Sequence, residues 1–513
     1  MMNAPSTARQ KIGYSLPTLV VGALALLLYV ATAAPWITWA HDGADGGDLI
    51  TAAMTWGVPH PSGYPVYCLL GRLFALLPLG SVARRFNLFS VAWAAAAVSL
   101  VYLAAIRILA STREANRQTR LDVAMALLVA LAFAASPTLW SQATIAEVYA
   151  PHTFFFALCL YLATRLDPQS PSRHWALLGL ALGLGLGLHL TLSLLVPGLA
   201  LLLWPKAKPA RLGAFGLGTA LGLASYVYLP LAARGDPPVN WGDARTWSGF
   251  WWVISGKVYL GYLFGLPARY LPVRLGAWAG LWLQQFTWIG LALAITGLWS
   301  WSERRRRWAL ATGCMFVAYA VYAVTYDTTD SYVYLLPTYV LTALWMAEGA
   351  RAIVASLATT QHRAGQLRIA LALLVLASIP IWSLLRHYKA LDLSHDHTAA
   401  QWVEKTFSQL PPGALLITGE DAHTFTLDYV RWVERRRQDL IVIDGELLQQ
   451  PWYAQQVARR YPSLQGAGKT SSLSELISAN LGQRDVYLSS PRDGLAQSFE
   501  IAPVGNLWRI SGR

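Results

Sequence analysis

Apolar stretches of about 17–25 residues, long enough for a helix to cross a bilayer, recur along the first three quarters of the chain. In lipid a helix satisfies its own backbone hydrogen bonds, so the expected fold is an all-α polytopic membrane domain. The spans read near 16–34, 86–109, 122–137, 151–165, 174–188, 190–204, 211–233, 277–301, 308–326, 332–350 and 368–386, roughly eleven transmembrane helices. Charged residues make up 13% of the chain and hydrophobic ones 55%, whereas a soluble protein carries about 25% charged residues. Arg9 and Lys11 precede the first apolar run as in a signal peptide, but the run is long for one and more spans follow, so it reads as a retained helix.

The net charge of +13 does not point to nucleic acid. Its Lys and Arg lie in short loops between spans, the distribution that orients a membrane protein. The stretch 174–205 is long for one span and short for two. Taken as a hairpin, it puts Arg113/Arg117/Arg120, Arg165/Arg173, Lys206/Lys208/Arg211, Arg304–Arg307 and Arg351/Arg363/Arg368 on one side, as the positive-inside rule favours. The N-terminus is then cytoplasmic, the chain a multi-pass inner-membrane protein, and the tail extracytoplasmic. The organisation is a membrane domain 1–386 with outer loops 35–85 and 234–276, followed by a small soluble α/β domain 387–513. In the tail, Ala414–Gly419, Asp439–Asp444, Asp485–Ser489 and Leu507–Ile510 read as strands, and Phe425–Arg437 as an amphipathic helix. Gly466-Ala-Gly-Lys-Thr-Ser-Ser lacks the spacing of a phosphate loop and reads as a polar turn. Cys68, Cys159 and Cys314 lie in apolar sequence with neither ligand spacing nor disulfide framework, so they read as core residues, and no metal or cofactor is called for.

Polar residues capable of chemistry gather on the outer face in this topology. His41-Asp-Gly-Ala-Asp-Gly-Gly-Asp48 follows the first span, and a helix starting near Asp45 would put Asp45 and Asp48 on one face. Either is a candidate general base, with helix capping the plain alternative. His60-Pro-Ser-Gly-Tyr64-Pro is a rigid turn whose His60 and Tyr64 could contact a sugar. Glu147 is an isolated acid at the second outer turn, and His189 stands at the proposed hairpin. Arg234, Trp241 and Lys257 belong to the second outer loop, whose Trp and Tyr suit a membrane interface and whose cations could hold a phosphate. Asp327 and Asp330 form a further outer acidic pair.

Asp45-Gly-Gly-Asp48-Leu-Ile-Thr-Ala-Ala, Gly57-Val-Pro-His-Pro-Ser-Gly-Tyr-Pro-Val-Tyr67 and Arg85-Phe-Asn-Leu-Phe-Ser90 together resemble the protein O-mannosyltransferase-like membrane family, glycosyltransferase family 117. Ala146-Glu-Val-Tyr149, His189-Leu-Thr191, Asp236-Pro-Pro-Val-Asn-Trp-Gly-Asp243 and the Gly419-Glu-Asp stretch extend the resemblance over nearly the whole chain. It implies a GT-C-like fold and an inverting transfer of a sugar from a polyprenyl-phosphate donor to a protein or glycan acceptor hydroxyl, with a catalytic acid in the first outer loop. The family's Asp-x-Gly-Glu reads Asp45-Gly-Gly-Asp48 here, which leaves open which acid is the base. The expected partners are the lipid-linked donor, the acceptor and the bilayer. The alternative is a lipid-linked sugar flippase or transporter, which should place its polar residues at the bilayer midplane and show paired repeats.

The topology predicts that a reporter active only in the cytoplasm stays silent when fused after Arg513. Strong cytoplasmic signal in cells expressing the fusion would overturn the hairpin at His189 and the side assignment with it.

Overall fold

The computed structural model describes residues 7–110, 120–357, 363–469 and 472–512, with side chains from residue 16 onward. Arg113 and Arg117 of the expected basic loops, and Thr470 and Ser471 of the Gly466 turn, lie outside the described residues. The helical part begins with α1 (Thr7–Thr32), two short helices α2 (Gly46–Thr55) and α3 (Pro65–Phe74), and the long α4 (Val82–Ala110). Helix α5 (Arg120–Ala134) then breaks before α6 (Pro137–Ala143), and the pair is bent by 64°. Pro137 starts the second piece because a proline cannot donate a backbone hydrogen bond within a helix. Next come α7 (Tyr149–Arg165), α8 (Ser172–Leu186), α9 (Val196–Leu203), α10 (Pro209–Leu223), α11 (Tyr228–Ala233) and α12 (Trp247–Ile254). Four long helices complete this part: α13 (Leu271–Arg304), α14 (Arg306–Thr325), α15 (Leu336–Leu357) and α16 (Arg363–Leu391).

Among the described residues six helices are long and apolar enough to cross a membrane, or seven if the bent pair is one span. The eleven expected spans are therefore not all full-length helices. Helices α7 and α8 have 17 and 15 residues, and the apolar segments Leu16–Thr32 and Leu190–Lys206 are also short.

Glycines set how the helices pack. A Cβ on Gly179 or Gly183 would meet the carbonyl oxygens of Phe215 and Thr219, and one on Gly218 would meet Ala176 O. The matched numbers rise together, so α8 and α10 run side by side in the same direction, their backbones brought close by small residues four apart. Leu190–Lys206 must therefore return between them, and the chain does turn at Gly187–His189. Helices α13 and α15 repeat the device, Gly297 facing Trp345 O and Gly349 facing Leu293 O, with α14 as the return. At the opposite end from His189, Lys206 donates to Leu166 O (2.6 Å) and Arg211 to Pro168 O (2.6 Å), which brings two basic loops together.

After α17 (Thr398–Gln409), the C-terminal segment builds a five-stranded sheet of order β2-β1-β3-β5-β4. Strand β1 (Leu415–Thr418) is central, between β2 (Ile441–Asp444) and β3 (Val486–Leu488), both parallel to it. β4 (Glu500–Val504) and β5 (Leu507–Gly512) close one side in antiparallel pairing. β1 to β3 are wholly buried runs, as parallel strands covered on both faces must be. The expected strands are present, while Glu500–Val504 escaped the sequence reading because its burial is irregular and a proline interrupts it. The helix expected over Phe425–Arg437 lies further back, over Asp421–Asp428, and closes in a π-turn at Tyr429–Val433.

Gly297→Leu should lower the thermal midpoint of the detergent-solubilised protein, because even its Cβ falls 1.8 Å from Trp345 O and overpacking costs about 1–3 kcal/mol or more. Gly313, whose Cβ would meet nothing within 4 Å, is the control. Equal midpoints for the two leucine variants would deny the close α13–α15 contact.

Candidate active site

The first loop is folded by its own polar groups. Asn87 of the Arg-Phe-Asn motif donates to Ala34 O (2.8 Å) and Trp36 O (2.9 Å), fixing the exit from α1. The chain then passes through a 3₁₀ turn, Ala40–Asp45, in which His41 and Asp42 both take φ of 60°. Left-handed backbone is unfavourable for such residues and persists where its surroundings hold it. α2 starts only at Gly46, so Asp45 precedes the helix and Asp48 lies in its first turn. Asp45 keeps helical backbone angles and makes no capping bond, and both carboxylates reach the same imidazole.

Asp48 is 1% exposed and fully engaged. Its Oδ2 accepts from the His60 backbone N (2.9 Å) and pairs with His60 Nδ1 (2.7 Å), while Oδ1 accepts from Trp241 Nε1 (3.0 Å). Asp45 lies on the other side of the same imidazole, Oδ2 3.4 Å from His60 Nε2, with its side chain 36% exposed. One histidine thus bridges a buried acid and an open one. Burial alone would lower the His60 pKa, but the carboxylates of Asp45 and Asp48 prevail and hold it at about 9. Burial raises the Asp45 carboxyl above its ordinary range, against the pull of His60.

Asp45 and His60 open onto a cavity of about 500 Å³. Tyr64 and His189 line one wall with their rings stacked at 5.9 Å. Tyr149, Tyr322, Tyr326 and Tyr334 add further aromatic surface, and Asp42, Asp330 and Asp421 add acids. Many rings with a few convergent polar groups make a small-molecule site. Ring faces of this kind suit the apolar side of a sugar, with carboxylates for its hydroxyls. Burial, with His60 nearby, lowers His189 to about 4, so its ring is neutral; Nδ1 is 2.7 Å from Thr191 Oγ1.

The structure gathers Asp45, His60, Tyr64 and His189, of the residues singled out from the sequence, at the cavity. Trp241 is buried behind it as the partner of Asp48. Glu147 is also buried, 2% exposed, with one oxygen on Val148 N and the other without a partner among the described residues. Arg234 and Lys257 are exposed, and neither belongs to the lining, although Gly256 and Tyr259 beside Lys257 do. Among the described residues no Lys or Arg lines the cavity, and no group of three or more His, Cys, Asp or Glu is arranged to hold a metal ion.

Asp421 was not singled out from the sequence as a site residue. It is the first residue of α18 (Asp421–Asp428), from the C-terminal segment, and its only sequence signal was the Gly419-Glu-Asp stretch. Helix α18 lies directly on α2. A Cβ on Gly47 would fall 2.3 Å from Phe425 O, so the second glycine of Asp-Gly-Gly-Asp makes room for a backbone about 380 residues away. The Phe425 ring stacks over His60 at 6.3 Å, and Trp39 Nε1 donates to Thr426 Oγ1 (2.9 Å). The tyrosines at 322, 326 and 334 were legible only as local tyrosine density.

Residues 45–211 match the family described as Protein O-mannosyl-transferase TMEM260 N-terminal domain, and residues 399–468 match TMEM260-associated domain 2. The first match opens on Asp45 and contains His60, Tyr64 and His189; the second contains Asp421. Protein O-mannosyl-transferase TMEM260 of Mus musculus is 24% identical over 83% of this chain and 62% of its own length. Its Dictyostelium discoideum counterpart is 22% identical over 92% of this chain and 63% of its own. The chain thus spans somewhat less than two thirds of these relatives. In fold it is similar to ArnT from Cupriavidus metallidurans bound to undecaprenyl phosphate, with a TM-score of 0.51, 13% identity and 98% of each chain covered. The apo form of that protein gives 0.50.

Both shifted groups bind protons more tightly folded than unfolded. His60, raised to about 9 from 6.5, contributes stability that is complete below about 6.5 and is lost as pH rises through 9; the raised Asp45 acts in the same direction. Unfolding midpoints should therefore fall across that window, and His60→Gln should flatten the fall. An identical pH slope in the variant would show that His60 carries no such charge.

Proposed function

We propose that this chain is a member of a GT-C O-mannosyltransferase-like family, which its family-model matches, relatives and fold support, and that it transfers a sugar from a polyprenyl-phosphate donor to an acceptor hydroxyl with inversion. Support for the lipid-linked donor comes from the fold shared with an undecaprenyl-phosphate-bound protein, and for a protein acceptor and mannose from the names of the relatives. The basic loops argue that the cavity end of the membrane domain faces outward, with the N-terminus cytoplasmic.

The observation that carries the reading is the His60 bridge between a fully bonded Asp48 and a half-open Asp45 at the cavity. Asp45 is the general base. Its carboxylate takes the proton from the acceptor hydroxyl, and the oxygen attacks C1 of the sugar. The bond from C1 to the phosphate oxygen breaks, and the polyprenyl phosphate departs with the electron pair. His60, protonated between the two acids, holds Asp45 in place and stabilises its negative charge. Asp48 positions His60 and Trp241. A phosphate is already a good leaving group, so orientation and one base supply most of the catalysis. Tyr64 and His189 bound the sugar subsite, and Glu147 supports that wall from behind. Lys257, on the turn that also carries Gly256 and Tyr259, meets the donor phosphate as a point charge, while Arg234, exposed away from the lining, contacts lipid headgroups. A flippase would place its polar groups at the bilayer midplane; here they meet at one end of the bundle.

In proteoliposomes supplied with isotope-labelled polyprenyl-phosphate mannose, wild type should move label to acceptor. Asp45→Asn should cut the rate by about 10²–10⁴-fold while donor still binds. Transfer near the wild-type rate in Asp45→Asn would remove Asp45 as the base.

A further inference from the structure

We infer that the C-terminal segment forms the acceptor-side wall of the transfer cavity, and that Asp421 selects hydroxyl-bearing polypeptide acceptors with neutral or cationic flanks over acidic ones. The inference rests on the transferase reading above and adds to it the charge of the acceptor's flanks and the residue that reads it.

The cavity has two unlike sides. Its aromatic wall is borne by the ends of bundle helices: Tyr149 begins α7, Tyr322 is in the last turn of α14, and Tyr334 lies in the 3₁₀ turn Ser331–Leu335 that leads into α15. A donor whose chain stays in the bilayer approaches from there. Asp421 lines the cavity from a sheet-bearing segment outside the bundle, the direction from which a water-borne acceptor arrives. It faces the same space as Asp45, and burial together with Asp45 and Asp444 pushes its carboxyl up to about 7, so that an approaching cation draws it into its charged form. The three further acids of the lining, with no Lys or Arg beside them among the described residues, would repel a second anion next to the donor phosphate. Like charges brought together exclude wrong partners, whereas a cationic flank is drawn in.

The wall is held in place independently of Asp421. Gln456 donates to Asn240 O (2.6 Å), Arg459 pairs with Asp236 (3.0 Å), Trp36 donates to Glu434 (2.7 Å) and Trp39 to Thr426. Substituting Asp421 therefore alters the wall's charge without releasing it.

The test uses the full chain in proteoliposomes with labelled polyprenyl-phosphate mannose and two serine/threonine peptides differing only in lysine or glutamate flanks. Wild type should show a KM for the lysine-flanked peptide lower by about fivefold, the scale of one weakly screened ion pair. Asp421→Asn should erase most of that difference and Asp421→Lys should reverse it, with donor KM unchanged in both. An equal preference in wild type and Asp421→Lys, or a shift in donor KM alone, overturns the inference. Hydrolysis of donor by wild type without transfer to either peptide overturns the acceptor class but leaves the transferase reading. Neither hydrolysis nor transfer overturns both.

Discussion

A carboxylate buried at the edge of a membrane domain is costly unless every oxygen is bonded, and Asp48 meets that condition by drawing three separate donors to itself. The His60 backbone, the His60 ring and the Trp241 indole all converge on it. The consequence reaches well beyond one residue. The first loop is pinned over the start of α2, and the aromatic second loop is brought beside it, where Val58 N bonds Val239 O (2.9 Å) and Trp241 N bonds Val58 O (3.0 Å). Tyr228 closes the same join through its hydroxyl to Gly57 O (2.7 Å). With His60 fixed on one nitrogen, its other nitrogen is aimed at Asp45. The open acid thus inherits its environment from the closed one.

The same region explains why the C-terminal segment is part of the site. Asp45-Gly-Gly-Asp48 has small residues where a helix start would tolerate larger ones. Gly47 is needed because the α18 backbone occupies the space a side chain would fill. Trp36, Trp39 and Trp241 then meet Tyr429, His423 and Trp452 across the interface, with ring centroids between 5.5 and 5.7 Å. Buried indoles require partners for their N–H groups, and Trp36 and Trp39 find theirs in Glu434 and Thr426. The polar bonds give the docking an orientation that apolar packing alone would leave loose.

That helices cross a membrane was readable because bilayer thickness imposes a length on apolar helices. The hairpin around His189 was reached from charge, and the parallel run of α8 and α10 supports it from packing. Span counting did less well: Pro137 splits one span, and α7, α8 and Leu190–Lys206 are shorter than a full crossing. The local acid and histidine motifs pointed to Asp45, His60, Tyr64 and His189, since short segments at one end of a bundle must lie near one another. Lys257 and Arg234 followed from the same reasoning; both are exposed and neither lines the cavity, a placement that sequence spacing does not govern.

By itself, then, the sequence pointed to a chain that crosses a membrane, to basic loops gathered at one end, and to a first loop carrying acids and His60 at the other. Those features depend on hydropathy and short-range spacing, which are local properties. Tertiary structure decided which acid is open. Asp45 and Asp48 are three residues apart and chemically identical, and only the 3₁₀ turn before Gly46 together with the distant Trp241 separates them into an exposed and a buried carboxylate. It also decided that Asp421 joins them, because a contact between segments some 370 residues apart is set by packing of α18 on α2, and no local pattern in either segment encodes the other's position.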